Sequence, residues 1–292
     1  MGNGNLFQNC NMLDIVDSVQ VQASPTIIKR ITKRYLLLKQ VSKLKSKSSE
    51  KKPYIWVLNT VLFPELGYEW VENKLINTAV YRGQMFRDMR NGLGFQYWGE
   101  NATYEGYWVN DKAHGLGKLT HKDNSVFQGF WINGHIHGYG EYTDKLGGCY
   151  KGYWENDLQH GKGYEYWPDG TLYIGNYYQG EKCGQGFMEY PDGSIYTGDL
   201  SRNKLCGNGK YKWPDGKVYE GEWKDNKMNG FGKLKWKNKY YEGEFVNDKR
   251  HGFGVLVHPK KKKYIGNWEN NKKKGKGKYV YENGTVKEVE FL

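Results

Sequence analysis

The sequence predicts an all-β chain: an elongated, open, single-layer antiparallel sheet made of nine β-hairpins. Three observations carry this. The 292 residues include 39 Gly, 25 Tyr and 11 Trp, a composition of tight turns and ring-bearing strands rather than of an aliphatic core. An aromatic-x-Gly pair recurs at Tyr81, Tyr104, Phe127, Tyr150, Tyr173, Tyr196, Tyr219, Tyr241 and Tyr264, with a step of 23 residues and a single step of 22 after Tyr219. Eleven residues after each aromatic comes Gly-x-Gly, from Gly92/Gly94 to Gly275/Gly277. Nine copies in one register define an internal repeat.

Each copy reads as two strands. The first runs from the aromatic to a second large apolar residue four positions on: Met85, Trp108, Trp131, Trp154, Tyr177, Leu200, Trp223, Phe245 and Trp268. A polar turn follows, as at Asn110-Asp111, Asn133-Gly134 and Asn156-Asp157, and the second strand begins at Gly-x-Gly. Asp-Gly or Asn-Gly then closes the unit, at 169/170, 192/193, 215/216 and 283/284. Strand alternation puts the aromatic, its glycine and the second aromatic on one face, together with both glycines of Gly-x-Gly. Those glycines would form a trough in which neighbouring rings lie across bare backbone, so the sheet carries its own apolar skin.

The repeat resembles the MORN (membrane occupation and recognition nexus) repeat in its Tyr-x-Gly-x-Trp opening, its His-Gly-x-Gly centre and its Pro-Asp-Gly turn. Its signature here is carried by Tyr104, Gly106, Trp108, Gly115, Gly117, Trp131, Tyr150, Gly152, Trp154, Tyr219, Gly221 and Trp223. The resemblance covers residues 81 to about 291 and implies a solenoid-like array growing by one hairpin per repeat, roughly 85 Å long. It also implies a non-catalytic scaffold, since stand-alone proteins similar to this one belong to radial spokes, other axonemal complexes and protist cortical cytoskeletons. The expected partners are proteins of such a ciliary or cytoskeletal complex, at an intracellular site.

Around the array the chain divides into a tail (1–23), a basic amphipathic helix and linker (24–52), a lead-in (53–80) packing on the repeats, the repeats themselves (81–286) and a half-repeat cap (287–292). The helix is expected in "SPTIIKRITKRYLLLKQVSKLK", where Ile27, Ile28, Ile31, Tyr35 and Leu38 share a stripe beside Lys29, Arg30, Lys33 and Arg34. Such a helix can lie on an anionic membrane, bind an acidic protein surface or pack on the array. Residues 1–52 hold ten Lys/Arg and three Asp/Glu, so +7 of the net +12 is N-terminal. No apolar run is long enough to span a membrane and no signal peptide is evident, so Cys10, Cys149, Cys183 and Cys206 are expected to be free.

Several tempting sites fail on spacing. Gly-x-Gly recurs inside strands and opens no helix, which excludes a phosphate loop. His114, His137, His160 and His251 share a position with Cys183 and Cys206, but equivalent residues of adjacent hairpins stand about 9.6 Å apart, too far to share a zinc ion. No metal, cofactor or catalytic group is expected, and nucleic-acid binding is not, because the aromatics are committed to the sheet.

The opposite face is expected to be polar, with Glu220, Glu222, Glu242 and Glu244 pairing across strands with Lys210, Lys212, Lys233 and Lys235. In repeats one to four it turns apolar, at Leu93, Tyr107, Leu116, Phe130, Tyr139 and Tyr153, the expected partner-binding patch. The lead-in "PYIWVLNTVLF" (53–63) is the alternative cover for it. Exposed end strands would allow a homodimer or a contact between two arrays. The other reading is a peripheral membrane module that binds anionic phospholipid through Lys29, Arg30, Lys33, Arg34, Lys261, Lys262 and Lys273, although the repeats present no inward-pointing basic pocket.

Overall fold

The computed structural model describes residues 67–100, 102–259 and 262–292. The tail, the expected basic helix and residues 53–63 lie outside the described residues. Those described form one open sheet of 20 antiparallel strands and no α-helix.

The first strand, β1 (Glu69–Ile76), belongs to the lead-in and pairs edge-on with the first repeat. The hairpins follow: β2 (Ala79–Phe86) with β3 (Met89–Tyr97), β4 (Ala102–Val109) with β5 (Lys112–His121), and β6 (Val126–Ile132) with β7 (His135–Thr143). Next come β8 (Cys149–Glu155) with β9 (Leu158–Tyr166), β10 (Leu172–Tyr178) with β11 (Glu181–Glu189), and β12 (Ile195–Ser201) with β13 (Lys204–Lys212). The last three are β14 (Val218–Lys224) with β15 (Lys227–Trp236), β16 (Lys239–Val246) with β17 (Lys249–Val257), and β18 (Lys263–Glu269) with β19 (Lys272–Val280). The half-repeat supplies β20 (Val286–Phe291) on β19. Every strand pairs only with its neighbours in sequence, so the sheet is a pure meander.

Two turn types alternate along its edges. Inside each hairpin, two residues take positive φ, as at Asn110 (48°) and Asp111 (64°) or Asn156 (49°) and Asp157 (67°). This is the type I′ turn that matches strand twist, and it explains the Asn/Asp/Gly content. The second turn residue also ties repeats together: the side chain of Asn226 accepts from the Leu205 amide at 2.7 Å, and that of Asn203 from Lys182 at 2.9 Å. Between hairpins, Trp167 closes on Thr171 and Gly170 donates back to the Trp167 carbonyl, a turn with glycine at φ 95°. The 22-residue step is absorbed here: Trp236 pairs directly with Lys239 across a two-residue turn, leaving both strands in register.

One face is the aromatic skin. Tyr81, Tyr104, Tyr150, Tyr173, Tyr196, Tyr219, Tyr241 and Tyr264 are fully buried, although the described residues form no second layer over them. Their rings meet those of the second position edge to face, as in Tyr104–Trp108 (5.0 Å) and Tyr104–Trp131 (5.3 Å). The series runs unbroken from Tyr81 to Tyr177, stops at Leu200, and resumes from Tyr196–Trp223 to Tyr264–Phe291.

The two glycines of Gly-x-Gly do different things, which corrects the expectation that both form the trough. The second does: a Cβ on Gly117 would stand 2.5 Å from the Tyr104 ring. The first is a bulge residue. In repeat two, Gly106 pairs with Gly117 but Trp108 with Ala113, so the second strand carries two extra residues. Gly115 absorbs them at φ 72°, and all nine first glycines have positive φ.

Candidate functional site

The bulge decides the chemistry of the outer face. It leaves the carbonyl three residues after each aromatic free of the ladder, and the tyrosine hydroxyl arches over to donate to it, as in Tyr219 to Glu222 (2.9 Å). It also frees the amide of the central residue of Gly-x-Gly. In four repeats the side chain three positions after the aromatic accepts that amide: Gln84 from Leu93 (2.9 Å), Asp199 from Asn208 (2.9 Å), Glu222 from Phe231 (3.0 Å) and Glu244 from Phe253 (3.2 Å).

The predicted charge ladder is therefore half right. Lys210–Glu220 (3.4 Å) and Lys233–Glu242 (2.6 Å) pair as expected. Glu222 and Glu244 instead cap bulges, and Lys212 and Lys235 stand in another row, opposite Val218 and Tyr240.

In repeats two to four the capping position is aromatic: Tyr107, Phe130 and Tyr153. These are partners in three direct cross-strand pairs, Leu93–Tyr107, Leu116–Phe130 and Tyr139–Tyr153. The structure thus brings the six predicted patch residues together as one row. Tyr107, Leu116 and Tyr153 are more than a third exposed, Phe130 and Tyr139 are half-buried, and Leu93 is buried at 8%. Tyr139 and Tyr153 meet edge to face at 5.9 Å.

The next row continues the patch with residues that sequence reasoning missed. Lys151 pairs with Tyr164, Tyr164 with Ile174 and Ile174 with Phe187. Lys151 and Tyr164 belong to repeat four, Ile174 and Phe187 to repeat five, and the register makes them neighbours. Ile174 is 47% exposed.

The cations proposed for an anionic surface divide. Lys29, Arg30, Lys33, Arg34 and Lys261 lie outside the described residues. Lys262 lies over the Tyr279 ring at 4.3 Å, and Lys273 over Tyr264 at 4.6 Å and Tyr279 at 4.7 Å. Arg90 over Trp108 (4.1 Å) and Arg250 over Trp268 (4.4 Å) do the same. Single cations therefore do lie on the ring face, which the expectation of no inward-pointing basic pocket did not anticipate.

Burial raises the pKa of the skin tyrosines; Tyr190, at the margin of that face, is pushed up to about 12 by burial, with the neighbouring Tyr211 adding to it. The thiols of Cys149 and Cys206 are likewise raised by burial. Cys149, Cys183 and Cys206 are free, and among the described residues no group of three His, Cys, Asp or Glu side chains could hold a metal ion. Within the histidine column, His114 accepts from the Asn133 amide (3.5 Å) and His160 sits 3.1 Å from Glu155.

The fold and its two-faced repeat define a β-meander scaffold of identical rungs. The MORN repeat model matches residues 81–103, 104–126, 127–145, 150–172, 173–195, 196–218, 219–239, 241–261 and 264–286, and the chain belongs to the MORN-repeat family. No curated protein matches it. Among solved structures it is similar to the TCP domain of SAS-4 (dCPAP) of Drosophila melanogaster, solved with a proline-rich motif of Ana2 (dSTIL). That likeness has 10% identity, covers 60% of this chain and 90% of that chain, and has a TM-score of 0.35. It is also similar to a point mutant of the TCP10 domain of Danio rerio CPAP, at 13% identity, 69% and 96% coverage and a TM-score of 0.38. A streptogramin B lyase follows at 10% identity, 77% and 88% coverage and a TM-score of 0.16. Likeness at this level carries nothing about function.

Proposed function

We propose that the chain is a non-catalytic plate that docks into a ciliary, axonemal or other cytoskeletal assembly through the outer face of repeats one to five. The observation that carries this reading is the replacement of a bulge-capping acceptor by Tyr107, Phe130 and Tyr153. In four other repeats that position stabilises the rung itself, as Glu222 and Glu244 do. An exposed ring there gives up an internal hydrogen bond and adds apolar surface to water, a pattern that serves a partner rather than the fold. The outer edges of β1 and β20, which pair with no further strand among the described residues, offer further contacts, including array to array. The ciliary or cytoskeletal setting rests on the family resemblance alone.

The test is a tagged full chain in ciliated cells, followed by detergent extraction. The chain should remain with the axonemal or cytoskeletal residue. A Phe130→Glu/Tyr153→Glu variant, first shown to fold by circular dichroism, should move to the soluble fraction. Equal retention of both, or extraction of the unmodified chain, would overturn the reading.

A further inference from the structure

The aromatic face changes character toward the C-terminal end. Two positions per repeat place a side chain at the margins of the ring skin: two residues before the repeat's aromatic, and nine after it. In repeats seven to nine the first is Lys217, Lys239 and Lys262, whereas earlier copies hold Ala, Ser, Gly or Thr. In repeats eight and nine the second is Arg250 and Lys273; repeats one and five also hold a cation there, Arg90 and Lys182, but each is paired with a carboxylate, Asp111 and Glu165. Lys287 on β20 adds a cation on the same face, opposite Tyr279. From Tyr211 to Phe291 the ring-side strand positions contain no Asp or Glu.

None of these six cations forms an ion pair with a carboxylate among the described residues, whereas on the outer face of the same stretch Lys210 and Lys233 pair with Glu220 and Glu242. Four of the six lie low over rings: Lys217 is 3.9 Å from the Trp213 ring centre, Lys262 4.3 Å from Tyr279, Arg250 4.4 Å from Trp268 and Lys273 4.6 Å from Tyr264. A shallow cleft opens between Arg250, Trp268, Lys273 and Phe291. His258 stands among them, and burial together with Lys239, Lys273 and Lys262 lowers its pKa.

We propose that the ring face of repeats seven to nine receives an extended acidic peptide segment of a partner protein, lying across the strands. Equivalent lysines recur every second strand, about 9.6 Å apart, and three residues of a chain extended as polyproline II span about 9 Å and bring every third side chain to the same side. A carboxylate at every third residue therefore meets Lys217, Lys239 and Lys262 in turn, with the intervening side chains over the rings. Cations lying flat on rings suit a chain that lies down in the face better than a membrane, which meets protruding tips. Residues 1–66 of this chain carry ten Lys/Arg against four Asp/Glu, so its own N-terminal part is repelled from this face, and a second copy is equally basic.

The test uses the full chain and a fluorescein-labelled Glu-Gly-Ser repeat peptide of about nine residues, with Lys-Gly-Ser as control, read by fluorescence anisotropy at about 50 mM salt. The acidic peptide should bind and weaken as salt rises, and the basic one should not bind. Lys217→Gln/Lys239→Gln/Lys262→Gln should weaken binding at least tenfold. An outer-face variant of equal charge, Lys212→Gln/Lys235→Gln/Lys278→Gln, should change it less than threefold. The outer-face Phe130→Glu/Tyr153→Glu variant should bind the peptide normally, which keeps this result separate from docking. Absence of binding, equal loss in both lysine variants, or pelleting with phosphatidylserine vesicles without peptide binding would overturn the proposal.

Discussion

The hydroxyl of Tyr104 passes over Gly117 to donate to the carbonyl oxygen of Tyr107 at 3.1 Å. One ring thus fills the trough, spans the strand pair and satisfies a polar group that the bulge set free. The same relationship recurs in seven other repeats, from Tyr81–Gln84 to Tyr264–Asn267.

It follows that the two glycines of one repeat should fail differently. Gly117→Ala drives a methyl group into the Tyr104 ring and the facing strand, and should cost about 3 kcal/mol. Gly115→Ala meets nothing closer than the Tyr107 Cβ at 3.5 Å, so its cost is that of the left-handed backbone, about 1–2 kcal/mol. Gly115→Asn should be milder still, because Asn tolerates that conformation. Thermal melts of the three variants check the order.

The distinction between those glycines was not legible in the sequence, where both are invariant across the nine copies. The period, the hairpin turns and the skin of Tyr and Trp were legible, because each depends on local chemistry at fixed spacing. The outer face was legible only in part. Leu116 and Tyr139 hold the centre of Gly-x-Gly, and Phe130 and Tyr153 the position three after the aromatic, so comparing copies exposes them, but Tyr164, Ile174 and Phe187 occupy positions that are charged or polar in several other copies. Their adjacency depends on a register that the two-residue bulge sets. Antiparallel register sets Glu222 opposite Asn208 rather than Lys212, and the ring-side cations sat in stretches that read as polar turns.

At the break in the aromatic series, Leu200 is 3% exposed and lies where other repeats place a ring between two tyrosines. Leu200→Trp should restore edge-to-face contacts with Tyr173 and Tyr196 and add about 1 kcal/mol of stability. Denaturant midpoints of the two proteins decide it; a lowered midpoint would mean that the site lacks room.

Phe130→Glu should also stabilise, for an unrelated reason. A carboxylate there can accept the Tyr139 amide as Glu222 accepts that of Phe231, a gain of about 1 kcal/mol. A variant that is at least as stable as the natural chain but no longer docks would separate folding from binding at a single position.

Alkaline pH should dismantle the array. Burial holds the hydroxyls of Tyr81, Tyr104, Tyr150, Tyr173, Tyr196, Tyr219 and Tyr241 well above the ordinary value of 10.0. The folded state keeps these protons longer than the unfolded chain does. Their contribution is complete below about pH 10 and is lost as pH rises through the folded values. Urea midpoints should be flat from about pH 8 to 9 and fall steeply above 10, with phenolate absorbance appearing together with loss of the β-sheet signal.

Because strand order in the sheet is strand order in the chain, the protein can assemble as it leaves the ribosome. Each hairpin needs only the rung made just before it, and none waits for a distant segment. The open edge at any moment of synthesis is the template for the next rung, as β19 is for β20 when Phe291 comes against Tyr264.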